Sequence, residues 1–256
     1  MRLTILGCSG SVPRPDAAAS GYLLEADGYL LGIELGNGVL ARLMALRDPF
    51  ALNALLLSHL HPDHCADFSA LTVYRRYHAA PPYDPRARRL PVYAPAEAPE
   101  RLACAHAADA AERADADLGD VYEFHPLAAG DLRLGPWHIR VVPMRHPTEA
   151  FGFRISDGER VLAYTGDTAH CAGLDELATG ADLLLAEASW TDAPERPAGV
   201  HLSGVEAGQL AARAGVGRLV VTHVQPWTDA NAVLAEARGA YRGDARLAEQ
   251  NAVYQL

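Results

Sequence analysis

The hexapeptide His59-Leu60-His61-Pro62-Asp63-His64 constrains this chain more than any other stretch. Four groups able to bind a metal stand within six residues, directly behind the apolar run Leu55-Leu56-Leu57. Such a run reads as a strand covered on both faces, and a strand end is a rigid mount for ligands. Two neutral imidazoles one residue apart can grip one cation from the same side of an extended loop. Asp63 and His64 then point to a second position. Imidazole with carboxylate suits Zn²⁺, with Mn²⁺ or Fe²⁺ as alternatives.

The pattern continues at three distant places. His146 in Arg145-His146-Pro147, Asp167 in Tyr164-Thr165-Gly166-Asp167-Thr168, and His223 in Thr222-His223-Val224 each follow an apolar segment. Seven ligands at strand ends give two adjacent cations four protein ligands each, provided one carboxylate bridges them, and a shared water completes each shell.

The rest of the chain reads as a layered α/β protein with mixed sheets, carried by one domain over residues 1–256. Strands are expected at 2–7, 21–25, 29–35, 55–57, 91–93, 121–124, 137–142, 151–155, 161–164, 182–186 and 219–221. Helices are expected at 37–46, 67–78, 98–111, 203–214 and 230–240, the fourth opened by a capping box of Ser203 and Glu206. Half of the residues are hydrophobic, which excludes disorder and suffices for a core. No apolar run approaches the roughly 20 residues of a membrane span. Residues 1–7 read as a strand rather than a signal peptide, so the expected compartment is the cytoplasm. Cys8, Cys65, Cys104 and Cys171 form no CxxC pair and are expected to be reduced thiols. A net charge of −10 disfavours broad binding of polyanions.

The HxHxDH loop, a lone His, a lone Asp and a last His follow the ligand order of the metallo-β-lactamase superfamily, and the resemblance spans nearly the whole chain. It implies an αββα four-layer sandwich with two mixed β-sheets and a dinuclear site on one edge. By that resemblance one metal takes His59, His61 and His146, the other takes Asp63, His64 and His223, and Asp167 bridges. Glu34 departs from the Asp usual before Leu35-Gly36, and is expected to brace the metal loop.

Two further residues narrow the branch. Glu187, ending an apolar strand, and His201, before a helix, resemble the pair of the ribonuclease Z-like group, in which the Glu orients the His as a proton donor. The implied catalytic groups are Asp63, His201 and Glu187. Ribonuclease Z carries a tRNA-gripping arm, inserted in bacterial forms between the lone His and the bridging Asp. Here only 21 residues separate His146 from Asp167, which leaves no room for one. The segments Leu6-Gly7-Cys8-Ser9-Gly10-Ser11-Val12-Pro13, Ala19-Ser20-Gly21-Tyr22-Leu23, Arg75-Arg76-Tyr77-His78, His146-Pro147-Thr148-Glu149, Glu187-Ala188-Ser189-Trp190 and His201-Leu202-Ser203-Gly204 look like the actinobacterial (atypical class II) cyclic-nucleotide phosphodiesterases. The resemblance implies hydrolysis of P–O3′ bonds, of 3′,5′-cyclic nucleotides such as cAMP to 5′-monophosphates. Hydroxide attacks phosphorus in line, and His201 protonates the departing O3′. A homodimer is expected by the same resemblance.

Other readings compete. A ribonuclease Z-like tRNA 3′-endonuclease shares the ligands but lacks its arm here. A hydrolase of esters, lactones or thioesters has less need of the Glu187–His201 pair, and an oxygen-reducing di-iron protein usually has Glu where His61 stands. A non-catalytic metal- or nucleotide-binding protein would need no proton donor. Ser9, Ser203 and Arg76 are candidates to contact substrate. Arg75, Arg76, Arg86, Arg88 and Arg89 otherwise read as a solvated face and connector. Cys65, Cys171, His78, His106, His125, His138 and His170 fall off the motif and are expected to be structural or superficial.

Overall fold

Each half of the chain opens as an antiparallel meander and closes as a parallel run. The computed structural model describes residues 1–256. In the first half β1 (Arg2–Gly7), β2 (Gly21–Ala26) and β3 (Tyr29–Ile33) pair antiparallel, and β4 (Ala54–Leu56), β5 (Leu90–Ala94) and β6 (Tyr122–Pro126) join in parallel. In the second half β7 (Gly130–Leu134), β8 (Trp137–Pro143), β9 (Phe151–Ser156) and β10 (Val161–Tyr164) form the meander. The parallel run is β11 (Leu183–Glu187), β12 (Arg218–Thr222) and β13 (Asp244–Leu247). The last strand, β14 (Val253–Gln255), crosses back to pair with β1, so each sheet has seven strands.

Side-chain alternation along the strands builds the layers. In β4 Ala54 and Leu56 enter the core between the sheets, while Leu55 and Leu57 face the other way. In β11 Leu183 and Leu185 enter the shared core, while Leu184 and Ala186 face away from it. The outward face of the first sheet is covered by α1 (Val39–Leu46), α3 (Phe68–Tyr77) and α4 (Ala98–His106). That of the second is covered by α6 (Gly173–Ala178), α7 (Gly204–Ala214) and α8 (Ala230–Ala240). The result is an αββα four-layer sandwich with two mixed sheets. Each fully buried leucine contributes about 2 kcal/mol. Tyr22 and Thr222 join the two sheets through a buried hydroxyl pair at 2.8 Å. No helix is long and apolar enough to cross a membrane.

The expected elements differ from the observed ones in places. The helix expected at 98–111 breaks after His106 into α4 and the short exposed α5 (Ala110–Ala114), whose N-cap is Asp109. The His-rich loop contains one turn of helix, α2 (Pro62–Cys65), with Pro at its first position. The strands β7, β13 and β14 and the helix α6 were not expected. Three of the four are edge or near-edge elements with mixed burial, which weakens periodicity.

The connections that matter here all leave the carboxyl ends of strands: β4, β8, β10, β11 and β12. Backbone bonds lock these loops together. The Phe151 amide donates to the Ser58 carbonyl, the Ala169 amide to the Arg145 carbonyl, and the His223 amide to the Cys8 carbonyl. Segment 188–190 runs beside 201–204, with the Ser189 amide donating to Leu202 and the Gly204 amide to Trp190. That pairing returns the chain to Glu187 after a long excursion.

Candidate metal centre

The structure brings His59, His61, Asp63, His64, His146, Asp167 and His223 together in two adjoining groups. In one, donor atoms of His59, His61 and His146 lie within 4.8 Å of one another. His61 Nδ1 is 3.1 Å from both His59 Nε2 and His146 Nε2. The other group is Asp63, His64, Asp167 and His223. There His223 Nε2 lies 3.2 Å from His64 Nε2, 3.1 Å from Asp63 Oδ2 and 3.3 Å from Asp167 Oδ2. Asp167 stands between the groups, since the same Oδ2 is 3.7 Å from His59 Nε2. A cavity of about 240 Å³ opens on the cluster, lined among others by Ser11, Asp63, Asp167 and His201.

The second nitrogen of most rings is held from behind. The His146 Nδ1–H donates to the Val200 carbonyl at 3.0 Å, which leaves a lone pair on Nε2. His59 Nδ1 meets Ser58 Oγ and His223 Nδ1 meets Ser189 Oγ, each at 3.0 Å. His64 Nδ1 faces Glu34 Oε1 at 3.5 Å. The Glu34 carboxylate also accepts the Ser58 amide, so it braces both ends of the histidine loop. Three non-glycine residues of the site, Ser11, Glu34 and His223, have φ near +60°, a conformation L-residues adopt at a cost.

Electrostatics divide the rings. Burial depresses His59 and His61, and holds His146 down at about 4, so these three present neutral imidazoles whose ring nitrogens face one another. For His64 burial opposes the charge, but Asp167 and Glu34 outweigh it and raise its pKa. Burial likewise works against the Asp63 and Asp167 carboxylates. The charge and hydrogen bonding of His223 and His64 nonetheless keep both below the usual range. Asp167 Oδ1 is buried and receives no well-aligned hydrogen bond, its nearest donor being the His64 ring at 3.2 Å. A buried carboxylate oxygen without a well-aligned donor, next to imidazole nitrogens packed against one another, is unfavourable by itself. A divalent cation relieves both defects, so the donor set fits a metal.

Beside the cluster, His201 Nδ1 donates to Glu187 Oε1 at 3.0 Å. Burial disfavours the charged ring, yet the Glu187 carboxylate, with Asp167 and Asp63, lifts His201 to about 9. The His201 ring packs edge-to-face with Trp190 at 5.1 Å between ring centres.

None of the three candidate substrate contacts lines this cavity. Arg76, near the C-terminal end of α3, gives its guanidinium to the Asp120 carboxylate and the Asp117 carbonyl. Ser9 Oγ donates to the Val12 carbonyl at 2.6 Å, and Ser203 Oγ accepts the Glu206 amide as a buried helix cap. Each polar group is already used inside the protein. Arg75 is buried over the Phe50 and Tyr122 rings and donates to the Val121 and Arg88 carbonyls. Ser11 stands where Ser9 was expected: it lines the cavity, and its amide donates to Asp63 Oδ2 at 2.8 Å. Ser58, Ser189 and the Val200 carbonyl were missed as well. Their signal was adjacency to His59, Glu187 and His201, which serines commonly show without consequence.

This sandwich, with a His/Asp cluster of the kind that binds a divalent metal at its strand ends, defines a metallo-hydrolase of the β-lactamase fold. Residues 36–224 match the beta-lactamase superfamily domain, and the chain belongs to the metallo-β-lactamase superfamily. It is 46% identical over 249 residues to the uncharacterized protein Rv1339 of Mycobacterium tuberculosis, covering 95% of this chain and 88% of that one. It is 35% identical to ribonuclease Z of Mycobacterium bovis, covering 88% and 86% of the two chains. The crystal structure of the metallo-beta-lactamase fold protein YhfI from Bacillus subtilis superposes with a TM-score of 0.84 at 26% identity, over 99% of this chain and 98% of that one.

Proposed function

We propose that this protein is a dinuclear metal-dependent phosphodiesterase that breaks P–O3′ bonds, with 3′,5′-cyclic nucleotides such as cAMP as substrates and 5′-monophosphates as products. The observation that carries the reading is the His201–Glu187 pair at 3.0 Å, which a metal-storage site has no use for. In this reading His59, His61 and His146 hold one cation, Asp63, His64 and His223 hold the other, and Asp167 is shared. Bound there, zinc (or manganese or iron) supplies Lewis acidity and lowers the pKa of water to near neutrality.

The chain's own groups do the rest. His201 carries a proton at neutral pH and faces the cavity, ready to protonate the departing O3′. An alkoxide is a poor leaving group, so this donation lowers the barrier to P–O cleavage. Glu187 fixes the ring through Nδ1 and is itself anchored, because Oε1 also accepts the Thr168 amide at 2.8 Å. The Ser11 amide orients Asp63.

The 35% identity to a ribonuclease Z favours a second reading, a tRNA 3′-endonuclease. Against it, β9, β10 and one turn take up the chain between His146 and Asp167, and no arm projects there. Product analysis under one set of conditions separates the readings, using 3′,5′-cAMP, 2′,3′-cyclic nucleotides and precursor tRNA with zinc- or manganese-loaded protein. 5′-AMP from cAMP supports the proposal. Cleavage of precursor tRNA alone would transfer it to the second reading, and stoichiometric metal without any hydrolysis would leave a binding protein.

A further inference from the structure

Trp227 lies four residues beyond His223 on the loop that leaves β12, and it is 68% exposed. Folding gains little from an indole left in water, so the ring is a free contact surface. It is nevertheless held in place. Its Nε1–H donates to Gln225 Oε1 at 3.0 Å, and Gln225 Nε2 donates to Ser11 Oγ at 3.2 Å. Ser11 lines the cavity at the metal-binding cluster. The dimensions of one carboxamide then put the indole nitrogen within about 9 Å of the Ser11 hydroxyl. That is the reach of a ribose with its base.

We infer that Trp227 is a stacking platform for the nucleobase of a phosphodiester whose phosphate sits at the cluster, and so a specificity-determining residue. The inference rests on the phosphodiesterase reading above and extends it from the reacting bond to the base. Three features favour a base over a protein surface. In its loop only Pro226 is apolar and exposed beside the ring, while Gln225, Thr228 and Asp229 are polar, and an interface between proteins needs a broad apolar patch. The neighbouring Asp229 is occupied capping α8, and the Thr228 amide closes a turn onto the Gln225 carbonyl, so the loop presents the ring from a fixed frame. The tether runs to the cavity wall itself. Stacking is tolerant of base identity but grows with ring area, so purine cyclic nucleotides are bound better than pyrimidine ones.

The test compares Trp227→Ala and Trp227→Phe with the wild type, all metal-loaded, on 3′,5′-cAMP and on the abasic 1-deoxyribose 3,5-cyclic phosphate. Trp227→Ala should raise KM for cAMP about tenfold or more with a much smaller effect on kcat, and Trp227→Phe should recover most of the loss. The loss should fall on the nucleotide rather than on the abasic diester. As a readout apart from turnover, 5′-AMP should quench indole fluorescence in the wild type. The quench should shrink sharply in Trp227→Phe, where only Trp137 in the core and Trp190 against His201 remain. Equal losses on both substrates, or an undiminished quench in Trp227→Phe, would overturn the platform. A changed sedimentation coefficient for Trp227→Ala without any kinetic discrimination would also overturn it, assigning the ring to contact between copies. If the wild type cleaves neither diester, the phosphodiesterase reading has failed instead, and the 5′-AMP titration still tests the ring by itself.

Discussion

His201 and the Thr168 amide converge on one oxygen of Glu187, at 3.0 and 2.8 Å. A carboxylate with two donors on a single oxygen cannot rotate away from either, so the imidazole is fixed in direction as well as in charge. His201→Ala should therefore lower kcat on a phosphodiester by about 10²–10⁴ while the protein keeps its metal content. Metal analysis alongside the assay checks this, and full turnover in that variant would remove the proton-donor role.

Glu187→Gln separates orientation from charge. The amide can still meet His201 Nδ1, but the charge that outweighs burial and lifts the ring to about 9 is gone. A donor works only while protonated, so the rate falls as pH rises through the ring's pKa. Lowering that pKa should move the alkaline fall of kcat to lower pH. A pH–rate profile with an unmoved alkaline limb would show that another group gives up the proton.

Metal should be a folding ligand as well as a catalytic one, because the cluster without it packs imidazole nitrogens against one another beside an Asp167 oxygen that has no well-aligned donor. At a free metal concentration a thousandfold above Kd, linkage adds about 4 kcal/mol. For a chain of this size that corresponds to a rise in Tm of about 10 °C. Scanning calorimetry of chelator-treated protein, with and without added zinc or manganese, measures it. Identical melting curves would contradict the metal-centre assignment.

The serines behind the rings should tune that affinity. Ser189→Ala removes the partner of His223 Nδ1 while leaving the His223 ring in place. Metal affinity should fall about 10–100-fold, read by competition with a chromophoric chelator. A variant that binds as tightly as the wild type would reduce Ser189 to packing.

Much of this was legible in the sequence because strand ends and titratable residues coincide there. The run Leu55–Leu57 announces a doubly covered strand, and the histidines behind it announce what its end carries. The order of His146, Asp167 and His223 behind apolar segments extended that logic across the chain. What stayed hidden depends on contacts between distant segments. Nothing local distinguishes Ser9, whose hydroxyl turns inward to Val12, from Ser11, whose amide reaches Asp63 fifty-two residues away. The fate of Arg76 was decided by Asp120, from a loop before β6, and the role of Val200 by a carbonyl that has no sequence signature. The edge strand β14 was missed for a like reason, since only Tyr254 of its three residues is buried.

Arg76→Ala should accordingly be a stability change and not a catalytic one. The partly buried pair with Asp120 contributes about 1 kcal/mol, and the guanidinium also closes onto the Asp117 carbonyl. Urea unfolding should show that loss while kcat/KM on a phosphodiester stays at the wild-type value. A selective loss of kcat/KM would return Arg76 to the substrate.

Two glycines give opposite expectations from the same substitution. A Cβ on Gly10 would come within 2.3 Å of the His223 carbonyl oxygen and 2.9 Å of His223 Nδ1. Neither strand end can retreat, because the Gly10 amide is bonded to the Val224 carbonyl and the His223 amide to the Cys8 carbonyl. His223 already occupies a left-handed backbone conformation, so the added methyl must displace a residue with little room to adjust. Gly10→Ala should cost about 3 kcal/mol, and should weaken metal binding by shifting His223 Nε2 away from Asp63 and His64. Gly239, in α8, meets nothing within 4 Å, so Gly239→Ala should stabilise the fold by about 0.5–1 kcal/mol. Urea unfolding of both variants, with metal content measured on each, tests the contrast. If Gly10→Ala bound metal like the wild type, the close approach of β1's end to His223 would not be what positions that ligand.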